Sequence, residues 1–258
     1  MISTYGICTL PVVPMRATAS HRAEMVSQLL FGESYRVLYT EGEWIEIETD
    51  ADRYRGFIAA NQHEDFSAAD CEAVQKASLR ITQRVLHVCD EKRGCRLTLP
   101  PASVLRLDAD GHIQPGDSRF RLEENPEPAS LAEVLRAYEG TPYLWGGRTP
   151  WGIDCSGFTQ AVFRTQGICL PRDASQQALL GTPVGLEESG WGDLAFFRNE
   201  NGRITHVGMV HPGGRIRHCS GRVRDDRLDT RGIFCESSGK YSHTLYSIRH
   251  ITSLNTDK

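Results

Sequence analysis

Apolar and polar positions divide the chain into three blocks. Up to about residue 62 the apolar runs are short. Residues 7–13 are apolar, 36–39 are strand-like, and Trp44-Ile45-Glu46-Ile47-Glu48 alternates apolar and charged side chains, as a half-buried strand does. Gly56-Phe57-Ile58 closes the block, and residues 22–30 read as a helical turn or two ending at Gly32. Short strands joined by turns predict a small β-barrel over residues 1–62. In residues 63–124 the segments 79–88, 95–99 and 104–107 are strand-like, Asp108-Ala109-Asp110-Gly111 is a turn signal and Leu99-Pro100-Pro101 a breaker, which predicts a second small β unit. Residues 123–128 have the composition of a linker.

The third block, 125–258, opens with helices. Ser130 and Glu133 make a capping-box pattern ahead of Leu131, Val134, Leu135 and Tyr138 at helical spacing, and Gly140-Thr141-Pro142 ends that helix. Asp154 is placed to cap a second helix carrying Phe158, Val162 and Phe163 on one face, with Gly167 beyond it. Strand-like segments follow at 193–197, 207–210 and 215–219. Helices first and strands after, without βαβ alternation, predict an α+β fold.

Composition narrows the function classes. The 258 residues are 40% hydrophobic and 24% charged, ordinary globular values, and the net charge of −4 leaves no basic excess to neutralise phosphates, which argues against nucleic acid. No apolar run approaches the ~18 residues of a spanning helix, and the N-terminus lacks a basic leader region, so no membrane partner is expected. The expected location is the cytoplasm, or the periplasm or exterior if a leader has been removed. The eight cysteines include no Cys-x-x-Cys pair, which removes the usual zinc spacings, and they are sparse for a disulfide scaffold. Reduced thiols are expected, Cys89 and Cys95 included, most of them as apolar fillers.

One thiol stands apart. Cys155 lies in Gly152-Ile153-Asp154-Cys155-Ser156-Gly157, at the predicted start of a helix, where the helix dipole favours a thiolate. His206 and His218 lie on candidate neighbouring strands. His206 then suits the role of base, with His218 fixing its tautomer. Spacing alone favours a buried filler cysteine and structural histidines over a catalytic pair. Cys219 should face away from His218 on a strand and reads as packing. His211, ahead of Pro212-Gly213-Gly214, falls in a turn, and the mixed-charge run 222–227 reads as a solvated loop.

The motif order carries more. Thr141-Pro142-Tyr143-Leu144-Trp145-Gly146-Gly147 precedes Gly152-Ile153-Asp154-Cys155-Ser156-Gly157-Phe158. Pro171-Arg172-Asp173-Ala174-Ser175-Gln176-Gln177, Gly192-Asp193-Leu194-Ala195-Phe196-Phe197 and His206-Val207-Gly208-Met209 follow. Over about residues 130–250 this resembles the NlpC/P60 family of cysteine peptidases. The resemblance implies a papain-like core, Cys155 as nucleophile, His206 as base, His218 as orienting residue and Tyr143 as an oxyanion donor beside the Cys155 backbone N–H. It implies cleavage of γ-D-glutamyl bonds to a diamino acid in murein peptides, with no metal and no cofactor. Asp173 and its neighbours Asp154, Ser156 and Arg172 are implied to shape the peptide cleft. Asp154 as a plain N-cap, Arg172 as a surface ion pair and Tyr143 as packing beside Trp145 stay open as alternatives.

The first block resembles the SH3-like domain that precedes this catalytic domain in cytoplasmic murein-peptide recycling enzymes of the dipeptidyl-peptidase VI type. The similarity runs from Val12 through Glu33 and continues at Trp44 and at Asp52-Arg53-Tyr54-Arg55-Gly56-Phe57. It implies that an acid and a tyrosine bind the free amine of an N-terminal L-Ala. Glu24 and Tyr54 are the candidates, with Glu33 the alternative acid. The competing reading makes Glu24 an exposed residue and Tyr54 a core residue. Residues 63–124 resemble a second, divergent SH3-like domain more weakly. The expected partner is a small murein peptide, and the expected state a monomer. A wall-binding module with a dead catalytic domain, a papain-like amidase or acyltransferase, and a secreted hydrolase of intact peptidoglycan remain as alternatives.

Overall fold

Strands β1 (Tyr5–Ile7), β2 (Val12–Arg16), β3 (Met25–Leu30), β4 (Ser34–Glu41), β5 (Trp44–Thr49) and β6 (Arg55–Ala59) form one six-stranded sheet in the order β1-β4-β5-β6-β2-β3. The structure is a computed structural model and describes residues 4–66, 78–107, 113, 118–124 and 127–251. The expected alternation holds at β5, where Ile45 and Ile47 are fully buried and join Val13, Met15, Leu29, Tyr35 and Ile58 in one core. Burying each such side chain contributes roughly 1.5–3 kcal/mol. The helical reading of residues 22–30 does not hold. Met25–Leu30 is strand, paired with β2 through Val12↔Leu30 and Val13↔Leu29. Its apolar spacing fits either period, and pairing into the sheet decides the outcome.

The next strands are β7 (Ser78–Ile81), β8 (Leu86–Asp90), β9 (Cys95–Leu99), β10 (Val104–Leu107) and β11 (Phe120–Leu122). β7 pairs with β10, and β8 lies between β11 and β9. Their core includes Phe31, packed edge-on against Phe120 at 5.0 Å. These strands and the first sheet belong to one compact unit, Met1–Ala137 with Trp145–Gly147 and Arg164–Gly167. The predicted turn at Asp108-Ala109-Asp110-Gly111, Cys71, and Asn125-Pro126 of the predicted linker lie outside the described residues.

The second unit comprises Tyr138–Leu144, Arg148–Phe163 and Ile168–Lys258. Helix α1 (Leu131–Tyr138) ends on its first residue. The capping box ahead of α1 forms as expected, with the Ser130 N–H donating to Glu133 at 2.9 Å and the Glu133 N–H to Ser130 Oγ at 3.3 Å. A short β12 (Arg148–Thr149) and β13 (Gly152–Ile153) hairpin leads into α2 (Cys155–Thr165), followed by α3 (Ala174–Gln177). A seven-stranded sheet then runs β14-β20-β15-β16-β17-β18-β19. Its strands are β14 (Thr182–Val184), β15 (Leu194–Arg198), β16 (Ile204–His211), β17 (Arg215–Ser220), β18 (Arg222–Asp229), β19 (Gly232–Cys235) and β20 (Lys240–His250). β20 pairs with β19 through its first half and with β15 through its second, closing all but β14 into a ring. Ala195, Phe197, Val210, Ile216, Leu228, Ile233 and Ile248 fill that ring. No helix among the described residues is long and apolar enough to cross a membrane.

Candidate active site

Asp154 starts α2. Its carboxylate accepts the Gly157 N–H at 2.7 Å, as an N-cap does, and its backbone carbonyl accepts the Phe158 N–H. Cys155 is therefore the first helical residue, 7% exposed. Arg172 grips the Asp154 carboxylate with both terminal nitrogens and donates to Ser156 Oγ at 2.8 Å. At 2% exposure Arg172 is not the surface ion pair that the sequence left open. The structure thus brings Asp154, Ser156 and Arg172 together as a buried cluster at the helix start. Asp173 stands beside them at the N-cap of α3, its N–H donating to Gln176 Oε1 at 3.4 Å.

Alternation places the histidines. His206, Gly208 and Val210 share one face of β16, and Ile216 and His218 one face of β17. Arg224, Asp226 and Leu228 share one face of β18. Val210, Ile216 and Leu228 belong to the ring core, so the polar members lie on the core side. Gly208 pairs with His218 across the sheet, and a Cβ at 208 would stand 2.8 Å from the His218 Cβ. The glycine in the His206-Val207-Gly208 motif leaves the space His218 occupies. His206 Nε2 and His218 Nδ1 are 2.8 Å apart, and His218 Nε2 is 3.1 Å from Asp226 Oδ2. Arg224 Nε donates to the same Asp226 oxygen at 2.9 Å.

These contacts fix the ring hydrogens. A carboxylate only accepts, so the His218 ring hydrogen sits on Nε2 and its Nδ1 is an acceptor. His206 must then donate from Nε2, which leaves Nδ1 as the lone-pair nitrogen. Asp226 is a residue the sequence reading missed, and the solvated-loop reading of 222–227 is overturned. The run lies within β18, and Val223 and Asp226 are buried. The signal available was Ser220-Gly221, a tight turn that folds residues 222–227 back onto the strand carrying His218.

Electrostatics corrects a second expectation. Burial pushes the Cys155 thiol up to about 11, with the Asp154 charge adding to it. N–H groups of Val207 and Ser156 and the Arg172 charge act in the opposite direction and do not overcome it. Burial, then His243, His218 and Arg224, drive His206 well below the ordinary imidazole range. Burial thus disfavours both the thiolate and the imidazolium, against the thiolate that the helix dipole alone suggests. Burial opposes the Asp226 charge, but the His218 and Arg224 hydrogen bonds hold its pKa below the usual carboxylate range. Tyr143 is 37% exposed, and partial burial, then Cys155 and Asp154, raise its pKa, so it keeps its proton. Cys219 is fully buried and donates to the Ile153 carbonyl at 3.1 Å, as a packing thiol. His211 ends β16 and lies 3.3 Å from Asp225. Cys89 and Cys95 are free thiols, not a disulfide pair.

In the first unit, Glu24 is exposed and accepts the Trp145 indole N–H at 2.5 Å. Tyr54 packs half-buried against the first core. Glu33, the alternative acid, is buried, accepting the Leu30 N–H at 2.9 Å with Arg164 at 3.8 Å. It is committed to the fold.

A buried thiol opening a helix, ahead of a closed sheet carrying a linked pair of histidines, defines a papain-like cysteine hydrolase. Residues 140–240 match the NlpC/P60 family and residues 15–62 the bacterial dipeptidyl-peptidase SH3 domain. The chain is an NlpC/P60-family cysteine peptidase with an SH3-like N-terminal domain. It is 28% identical over 212 residues to the γ-D-glutamyl-L-lysine dipeptidyl-peptidase of Bacillus subtilis, covering 74% of this chain and 71% of that one. It is 34% identical over 136 residues to the protein of the same name from Bacillus cereus, covering 49% and 41%. A solved NlpC/P60 family protein from Bacillus cereus shares the fold at 18% identity and a TM-score of 0.80, covering 95% of this chain and 99% of that one.

Proposed function

We propose that the chain hydrolyses the γ-D-glutamyl bond to a diamino acid in murein peptides that begin with a free L-Ala, releasing L-Ala-γ-D-Glu. The reading rests on one observation above all: the buried His206–His218–Asp226 chain, in the same unit as a thiol that opens a helix. Relatives named γ-D-glutamyl-L-lysine dipeptidyl-peptidase support the substrate class.

His206 Nδ1 takes the Cys155 proton as the sulfur attacks the γ-carbonyl carbon of D-Glu. The carbonyl oxygen becomes an oxyanion, stabilised by the Tyr143 hydroxyl and the Cys155 N–H. The imidazolium gives its proton to the diamino acid nitrogen as the C–N bond breaks. Water, deprotonated by His206, then attacks the thioester, and the proton returns to the sulfur. Asp154, Ser156 and Arg172 hold the helix start, and Asp173 shapes the cleft for the peptide. Glu24, with Tyr54, binds the ammonium of L-Ala by a charge-assisted hydrogen bond. Acting on free peptides, the enzyme serves wall-peptide recycling in the cytoplasm, as a monomer.

Product masses from free tripeptide, N-acetylated tripeptide and intact sacculi test the reading. L-Ala-γ-D-Glu from the free peptide alone is expected, with none from the Cys155→Ala variant. Cleavage by that variant at the wild-type rate, or equal cleavage of sacculi, overturns it.

A further inference from the structure

Three imidazoles meet in the second unit. His206, His218 and His243 each present a nitrogen within 4.8 Å of the other two. The proposed reaction uses only the first two. His243 lies on β20, half-buried, and its ring stacks on that of His206 with centroids 4.0 Å apart and planes at 23°. Two of the three rings are held from outside the cluster. His218 Nε2 donates to Asp226, and His243 Nδ1 pairs with the Ser242 hydroxyl at 2.8 Å. One nitrogen held outward and the other turned inward is how metal-binding histidines are oriented. A set of three imidazoles suits zinc-type ions and is a poor match for the oxygen-seeking Mg²⁺ and Ca²⁺.

We propose that this cluster is an inhibitory site for a zinc-type divalent metal ion, bound through His206 Nε2, His218 Nδ1 and His243 Nε2. Inhibition rests on the role given to His206 above; binding does not. In the metal-free relay the His206 ring hydrogen is on Nε2, bonded to His218. A metal ion takes the Nε2 lone pair, so the neutral ring keeps its hydrogen on Nδ1. That is the nitrogen that must accept the proton of Cys155, and the base is blocked with no net proton gained or lost. Two nitrogens on one tetrahedral zinc ion lie about 3.3 Å apart. The His206 and His218 nitrogens, now 2.8 Å apart, need part only slightly, and His243 must tilt out of its stack to complete the set.

The test uses full-length protein at neutral pH with Zn²⁺ as the probe. Binding is read by calorimetry and, separately, peptide cleavage is read with and without EDTA. One Zn²⁺ per chain is expected, with EDTA-reversible loss of cleavage. The Cys155→Ala variant should bind with unchanged stoichiometry, and Co²⁺ in place of Zn²⁺ should show no thiolate charge-transfer band. His243→Phe and His243→Gln should each weaken binding at least tenfold, with thermal melts confirming that they are folded. A Cys155→Ala variant that no longer binds, or folded His243 variants that bind like wild type, overturn the site. If Zn²⁺ binds through His243 but no γ-D-glutamyl bond is cleaved by metal-free protein, the site stands and the proposed activity fails. If cleavage proceeds and Zn²⁺ leaves it untouched, the inhibitory site fails alone.

Discussion

Asp226 accepts from both His218 and Arg224 and is 4% exposed, so its charge reaches the relay with little screening by water. In Asp226→Asn the amide oxygen still accepts from His218, but no charge balances the imidazolium formed during attack. We expect kcat to fall about tenfold or more with KM little changed, equivalent to ~1.4 kcal/mol of transition-state stabilisation. Steady-state kinetics on the tripeptide checks this; an unchanged kcat removes Asp226 from the relay. Arg172 poses a stability question instead. Replacing it with Met leaves the Asp154 carboxylate buried without its main partner, a loss of about 3–5 kcal/mol in a urea melt. The thiol makes a third prediction. A group raised to about 11 by burial is almost wholly protonated at neutral pH, and its thiolate fraction grows as pH rises. Alkylation of Cys155 by iodoacetamide should accelerate up to about pH 11. A plateau reached below pH 8 would restore the resting thiolate.

At the level of single elements, β16 and β17 must approach closely enough for two rings to share a hydrogen bond, and Gly208 makes that approach possible. Gly208→Ala pushes its new methyl against the His218 Cβ. Activity should drop at least tenfold while the melting temperature moves by only a few degrees, the scale of ~1 kcal/mol. Wild-type turnover in that variant would show that the strands adjust freely. The same elements show what a sequence can disclose. Cys155, His206 and His218 stand in short, ordered motifs, and the helix-then-strand order was readable from periodicity. Asp226 was hidden because its neighbours are charged, and only the pairing of β18 with β17 reveals which of them turns inward. His243 was hidden for a similar reason. It lies in a polar, alternating strand, and its role depends on a ring stack that spacing along the chain does not encode. The strand at Met25–Leu30 was misread because local spacing carried two periods and the sheet selected one.

The whole chain combines a unit that holds the candidate nucleophile with one that holds the candidate acid for the substrate amine. Under the proposed function, selectivity for free N-termini would need both units. N-acetylated tripeptide should be cleaved at least a hundredfold more slowly than free tripeptide, and Glu24→Ala should shrink that ratio by slowing only the free peptide. An acetylated amine carries no charge and cannot make the charge-assisted hydrogen bond to the carboxylate, which gives the effect its direction. Equal rates on both peptides would remove the amine site.

Strand β20 carries a further consequence. It mates with both β15 and β19, and it is the most C-terminal member of the ring. Until it arrives, two raw sheet borders face water and the His206 ring lacks the imidazole that stacks on it. A message broken before codon 240 yields a product with sticky flanks, one that clumps or is degraded before it can cut anything.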